Sequence, residues 1–324
     1  MHIRLIAVAC ATALALPISA TAADNHRAYG RLHLSVDRLD DSGYVVSGDS
    51  NKGNHIGMKG SMDTNISDFK VVYKIEAGMI LNDGGTDTTV PAGTKEAAPA
   101  GLTQQRDSWI GMSSERFGTF RLGTVSTPYK SSGKMVDPLF YTSAEGRGVL
   151  KTMSAHHSGT GDDQGRSTNT VRYDSRSFNG VKAVGHYNLA PGDNNMGLGL
   201  HYKTDDVVFF IDYLNSGAKD ETAMKIGSKV KAGAASFAFQ YEIDDSGSVA
   251  VSEGAGDQLF LAATYEMDAT ALVLTLGNND NETGYSFGTM HKLNKNAKGY
   301  LLYANDGSSD FDTSLFTAGM MVSF

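Results

Sequence analysis

Basic side chains recur in this sequence at alternate positions of short apolar segments, a spacing that suits the electrostatic handling of ions. Arg31 and His33 alternate with Leu32, Leu34 and Val36, and Lys70, Lys74 and Glu76 alternate with Phe69, Val71, Tyr73 and Ile75. Lys59, Arg121 and Arg172 lie in similar runs. Successive strand side chains point to opposite faces, so each segment has one charged and one apolar face. Bond-making chemistry has weaker signals. His156 and His157 stand between Ser154 and Ser158, but a nucleophile needs a base that polarises it and a third group that orients the base. Adjacent histidines read as polar loop. Asp37–Gly43 and Gly159–Gly165 offer oxygen ligands but lack the spacing and terminal glutamate of a calcium loop, so solvated turns and no metal or cofactor are expected.

The elements that position these charges are strands. Sixteen alternating segments are predicted near residues 27–39, 54–63, 67–80, 105–114, 118–124, 168–175, 180–190, 194–204, 206–215, 222–231, 234–243, 256–267, 269–278, 283–292, 296–306 and 315–324. Their lengths are near those of tilted membrane strands. Connections alternate, with long polar ones near 40–53, 81–104, 125–167, 188–193, 244–255 and 307–314 and tight ones such as Met267-Asp268-Ala269. This predicts an all-β fold, a transmembrane antiparallel β-barrel with short periplasmic turns and long external loops. Closure follows from lipid, where an open sheet edge would leave backbone groups unsatisfied.

Composition agrees. Mean hydropathy is −0.25 and 40% of residues are hydrophobic, as expected where strand faces average out. The net charge of −8 argues against nucleic acid as a partner. Arg4, the apolar run Leu5–Leu16, Pro17 and the small residues Ala20-Thr21-Ala22-Ala23 form the pattern of a secretory signal peptide. Residues 1–23 are expected to be removed, leaving 24–324 as a single barrel domain. The one cysteine, Cys10, leaves with the leader, so no disulfide braces the exported chain.

Several stretches resemble the trimeric general porins of Gram-negative bacteria. They are Tyr29-Gly30-Arg31-Leu32, His55-Ile56-Gly57-Met58-Lys59-Gly60, Arg106-Asp107-Ser108-Trp109-Ile110-Gly111, Phe117-Gly118-Thr119-Phe120-Arg121-Leu122-Gly123, Thr168–Ser175 and the terminal Phe324. The resemblance implies a water-filled outer-membrane channel for passive diffusion of small hydrophilic solutes, assembled as a homotrimer. It also implies contacts with outer-membrane lipids and lipopolysaccharide, and recognition of Phe324 by the barrel-insertion machinery. Arg176, Thr124 and His55 depart from the family's usual proline and arginines, which leaves the ion preference open.

In the family, the third loop folds into the lumen and narrows it. The corresponding segment 125–167 is too long for a hairpin and needs a role. The basic wall of the constriction is expected at Arg31, Lys59, Arg106, Arg121, Arg166 and Arg172, faced by the loop acids Asp137 and Glu145. Ile110 and Met112 share the parity of Arg106, which sets its lumenal placement by resemblance against its placement by alternation. A substrate-specific channel is the alternative reading, although its lumen would carry an aromatic track and Trp109 is the only tryptophan. A barrel enzyme is the more distant one.

Overall fold

The computed structural model describes residues 25–40, 43–48, 52–82, 101–157, 159–160, 165–191, 195–216, 222–245, 256–279, 282–307 and 313–324. The expected leader, 1–23, and parts of both candidate calcium stretches lie outside them. Nine strands form the first half: β1 (Asn25–Leu39), β2 (Tyr44–Ser47), β3 (His55–Asp63), β4 (Phe69–Ile80), β5 (Gly101–Ser114), β6 (Gly118–Ser126), β7 (Arg166–Asp174), β8 (Val181–Asn188) and β9 (Met196–Lys203). Eight complete it: β10 (Val207–Asn215), β11 (Thr222–Ala232), β12 (Ala235–Asp244), β13 (Gly256–Met267), β14 (Thr270–Asn279), β15 (Glu282–Lys292), β16 (Ala297–Asn305) and β17 (Ser314–Ser323).

These seventeen segments make a closed antiparallel barrel of sixteen staves, because β2 and β3 are one interrupted stave. Both pair with β1, β2 along Ser35–Arg38 and β3 along Asn25–Arg31. The break between them is sealed by Asn54, whose amide donates to His33 O and Gly48 O, each at 2.9 Å, and whose Oδ1 accepts from His33 N. A side chain thus supplies the backbone partners that the ladder loses. The 40–53 connection is therefore shorter than the sequence pattern indicates, since Tyr44–Ser47 belongs to the wall.

The ends of the chain close the barrel. β1 pairs with β17 from Arg31↔Ser323 to Leu39↔Leu315, and Gly30 and Phe324 exchange backbone hydrogen bonds at 3.0 and 3.1 Å. Turns on one side are tight. Gly233 and Asp268 take positive φ of 61° and 50° in two-residue links, the left-handed conformation that short hairpins demand. Leu32, Leu34, Ile75, Leu122, Leu198, Phe237 and Leu301 line the exposed outer wall, while His33, Ser35, Asp37, His201 and Gln240 are buried inside. This inversion of a soluble core is what lipid outside and water inside require.

The segment after β6 enters the barrel. Thr127 caps helix α1 (Pro128–Val136) by accepting from Lys130 N at 3.1 Å, and Pro128 starts it, a pairing of cap and first-turn proline that favours a defined start. Val136 at the end of α1, with Leu150 and Met153 beyond it, packs on Phe210, Phe260 and Ala262. Leu139, Ala144 and Val149 pack on Val273, Tyr300, Leu302 and Leu315. Each buried side chain of this size contributes about 1.5–3 kcal/mol, so the loop is bonded to the wall of β10–β17. The open space remains beside β1–β7.

Glycine at position 30 is required by closure. A Cβ there would lie 2.9 Å from His55 O and 2.5 Å from the Phe324 ring, whereas at Gly299 its nearest neighbour is Gly319 O at 3.7 Å. Gly30→Leu is expected to cost at least about 1–3 kcal/mol by overpacking and to abolish the heat-modifiable gel mobility of a folded barrel. Gly299→Ala should retain that mobility.

Candidate functional site

A cavity of about 630 Å³ opens between the loop and the β1–β7 wall, lined among others by Arg31, Lys59, Arg106, Arg166, Lys134 and Tyr141. Its wall is set by register. Arg27, Lys59 and Lys74 stand directly opposite one another across β1, β3 and β4. Arg106 would point to lipid by simple alternation from Ile110. A register shift between Ile75 and Ala77 intervenes, and such bulges re-aim side chains. Arg106 is 5% exposed, and its Nε donates to Glu76 Oε1 at 2.5 Å. Alternation alone could not show this irregularity, and the resemblance gave the side of the wall on which Arg106 lies.

Two wall acids hold the cations in place. Glu76 also binds Lys74 at 2.9 Å and accepts from the Tyr29 hydroxyl at 2.9 Å. Asp107 binds Lys74 at 2.8 Å and Arg166 Nε at 3.1 Å, and accepts from Ser126 N at 3.0 Å. Neither acid was among the constriction residues expected from sequence, although Asp107 lies in a stretch that carried the resemblance and Glu76 in an alternating strand segment. Arg31, Lys59 and Lys134 form no ion pair among the described residues. Arg31 instead lies 4.6 Å and Lys134 5.0 Å from the Tyr141 ring centre, and Lys59 lies 4.8 Å from that of Tyr29. The Arg31 Nε atom is buried without a hydrogen-bond partner.

The remaining expected residues lie elsewhere. Asp137 accepts from Leu139 N at 2.8 Å and from Gly146 N at 2.9 Å. Glu145 accepts from Tyr141 N at 2.5 Å and binds Arg147 at 2.6 Å. Both acids shape the loop from within, and neither lines the cavity. Burial, and then the neighbouring Glu145, push the Asp137 carboxyl up to about 7. Arg121 and Arg172 flank Asp174 at 2.5 and 2.7 Å. Arg172 also donates to Ser126 O and to Ser131 Oγ, the latter at 3.1 Å, so this pair braces the base of the loop. Arg121 stacks over Trp109 at 5.1 Å.

The loop's far side is clamped by charge. Tyr129 and Ser154 both donate to Glu242 Oε1, the former at 2.7 Å. Lys225 donates to Tyr129 O at 2.5 Å and lies 2.8 Å from His157 Nε2. His157 and Glu242 are 0% exposed, and burial beside Lys225 holds the imidazole well below its usual range. The serine and histidines that could have suggested nucleophilic chemistry are thus anchors sealed from the lumen. Lys130 is 5% exposed at the edge of the cavity. Burial, with Arg166, Arg147 and Arg106 adding to it, lowers its amine well below the ordinary lysine range.

A closed barrel with an apolar exterior, a charged lumen and an in-folded loop defines a membrane-spanning channel. A family model described as Gram-negative porin matches residues 7–310, and the chain belongs to that family. It is an outer-membrane channel for passive diffusion, and the family and fold are those of non-enzymatic pores. In fold it is similar to the anion-selective porin from Comamonas acidovorans, at 18% identity and a TM-score of 0.67 over 93% of this chain and all of that one. It is likewise similar to a loop-deletion mutant of the Vibrio cholerae outer-membrane protein OmpT, at 15% identity and a TM-score of 0.68 over 93% of this chain and all of that one. A Rhodopseudomonas blastica porin mutant is similar at 15% identity and a TM-score of 0.66 over 92% of this chain and all of that one. Among curated proteins, none matches the chain.

The loop face of the cavity contains a group that titrates near neutrality. Burial pushes the Tyr141 phenol up, but Lys134, Arg106, Arg31 and Arg166 more than offset this and bring it down to about 8. Ionisation would place a negative charge among those cations. Any anion preference should therefore weaken as pH rises from 7 to 9, measured by reversal potential, and Tyr141→Phe should remove that pH dependence.

Proposed function

We propose that this porin is a general diffusion channel with a preference for small anions, and that Arg31, Lys59, Arg106 and Arg166 form the basic wall of its constriction. The carrying observation is the imbalance of charge around the cavity. Glu76 and Asp107 are taken up by Lys74, Arg106 and Arg166, while Arg31, Lys59 and Lys134 keep uncompensated charge facing water. A positive, narrow, low-dielectric passage concentrates anions and repels cations, and its width limits solute size. The Comamonas acidovorans porin of similar fold is itself anion-selective, which supports the reading.

The working unit is a homotrimer, as the family resemblance implies, embedded among outer-membrane lipids and lipopolysaccharide. Residues 1–23 act as the export signal, and the C-terminal Phe324, paired with Gly30 at the seam, serves as the cue for barrel insertion. No cofactor or metal is required for passive diffusion.

The test is single-channel recording in a planar bilayer across a salt gradient. The wild-type reversal potential should indicate chloride over potassium, and Arg31→Glu/Lys59→Glu/Lys134→Glu should reverse its sign with the barrel still folded. Cation preference in the wild type, or an unchanged potential in the triple variant, would refute the assignment.

A further inference from the structure

The turn-side half of the lumen carries a second set of cations that the constriction does not use. Lys182, Lys203, Lys229 and Lys231 lie within five residues of the tight turns that follow β7, β9 and β11, and Lys292 and Lys298 flank the turn between β15 and β16. Parity turns all six inward. Lys182 shares its face with the buried Val184 and His186, Lys203 with His201, and Lys229 and Lys231 with Lys225; Lys298 shares its face with Tyr300, and Lys292 with Ser286.

Their spacing is close. Lys203 and Lys229 are both register partners of Val208, one on each side of β10, which puts their strands about 10 Å apart. Lys292 stands directly opposite Lys298. Like charges in that position destabilise a sheet, so such a pair is maintained against its own repulsion. Compensation is thin. Lys231 and Lys292 share the single Glu266, at 3.7 and 3.5 Å, and Lys182, Lys203, Lys229 and Lys298 form no ion pair among the described residues. The lumenal acids of the opposite half are withdrawn from water instead: Asp212 and Glu242 are 1% and 0% exposed beneath the loop.

The charge of the lumen is therefore graded along its axis. The screening length is about 8 Å at physiological ionic strength, comparable to the lysine spacing. The lysine fields overlap there, and an anion gains in proportion to its valence. A monovalent ion is drawn weakly, whereas a chain of linked oxyanions spans several lysines at once. We infer that the periplasmic vestibule, framed by Lys182, Lys203, Lys229, Lys231, Lys292 and Lys298, is a binding site for multivalent oxyanions of the polyphosphate or phosphate-ester class, which enter from the turn side. This rests on the reading of the lumen as an open pore, but not on the residues assigned to the constriction.

Sodium tripolyphosphate is the probe. The mature chain lacks cysteine, so Asn294→Cys in the β15–β16 turn, modified from one chamber by a bulky maleimide, reports which mouth faces that chamber. In about 0.1 M salt, tripolyphosphate should half-block conductance at about tenfold lower concentration from the turn side than from the loop side. At 1 M salt, where screening falls to about 3 Å, the difference should vanish. Lys182→Gln/Lys203→Gln/Lys229→Gln, with a Glu version as a stronger charge change, should equalise the two sides. Equal block from both sides in the wild type, or sidedness that survives either triple variant in a heat-modifiable barrel, would overturn the site. Sidedness in a channel without anion preference would uphold this site while refuting the constriction reading.

Discussion

The need to satisfy every backbone N–H and C=O inside lipid governs this molecule. Water cannot reach the hydrocarbon region, so a sheet there survives only when its edges meet. The seam of β1 with β17, extended by the Gly30–Phe324 exchange, is consequently a condition for the rest. Even the interruption between β2 and β3 obeys the rule, since Asn54 donates to two carbonyls that would otherwise lie idle. Closure then fixes parity: one face of every strand meets lipid and the other meets the lumen. The positions of the lumenal charges follow from that geometry, before any of them acts on a solute.

A lumen of this width would be an unselective hole if left open. The loop that follows β6 fills part of it by two means. Its apolar residues cover inward-facing Phe210, Phe260, Leu302 and Leu315, and its Ser132, Tyr129, Ser154 and Ser143 hydroxyls donate to Asp212, Glu242 and Asp37, with Lys52 of the β2–β3 connection also pairing with Asp37. Removing one member of such a buried set would strand its partner in a medium that cannot solvate it. The loop is thus a fixed part of the wall, and the passage that remains is bounded by the cations opposite it.

Strand positions were legible because alternation is imposed by two solvents at once. The staves fall within a few residues of their expected limits, apart from Tyr44–Ser47, which joins the wall from within an expected loop. Arg106 was not legible from alternation, because a bulge in β5 sets Arg106 and Asp107 together opposite Glu76, reverses parity locally and leaves no mark in spacing. The docking of the loop does have a signal in the sequence. Val207-Val208-Phe209-Phe210-Ile211 is apolar on both faces, which a water-lined strand would not tolerate, so something dry had to cover its inner side. Asp137 and Glu145 could be identified as loop acids, yet whether a carboxylate faces water or its own backbone depends on turn geometry that residue types do not reveal. Glu76 and Asp107 were hidden for the opposite reason, being strand acids whose partners come from other strands.

We propose that uncompensated cations at the constriction hold anions in the passage. Anomalous diffraction from crystals soaked separately in bromide and rubidium salts tests it directly. Bromide peaks between Arg31, Lys59 and Lys134, with no rubidium there, are the expected result. Rubidium at that position, or no bromide beside these three side chains, would contradict it.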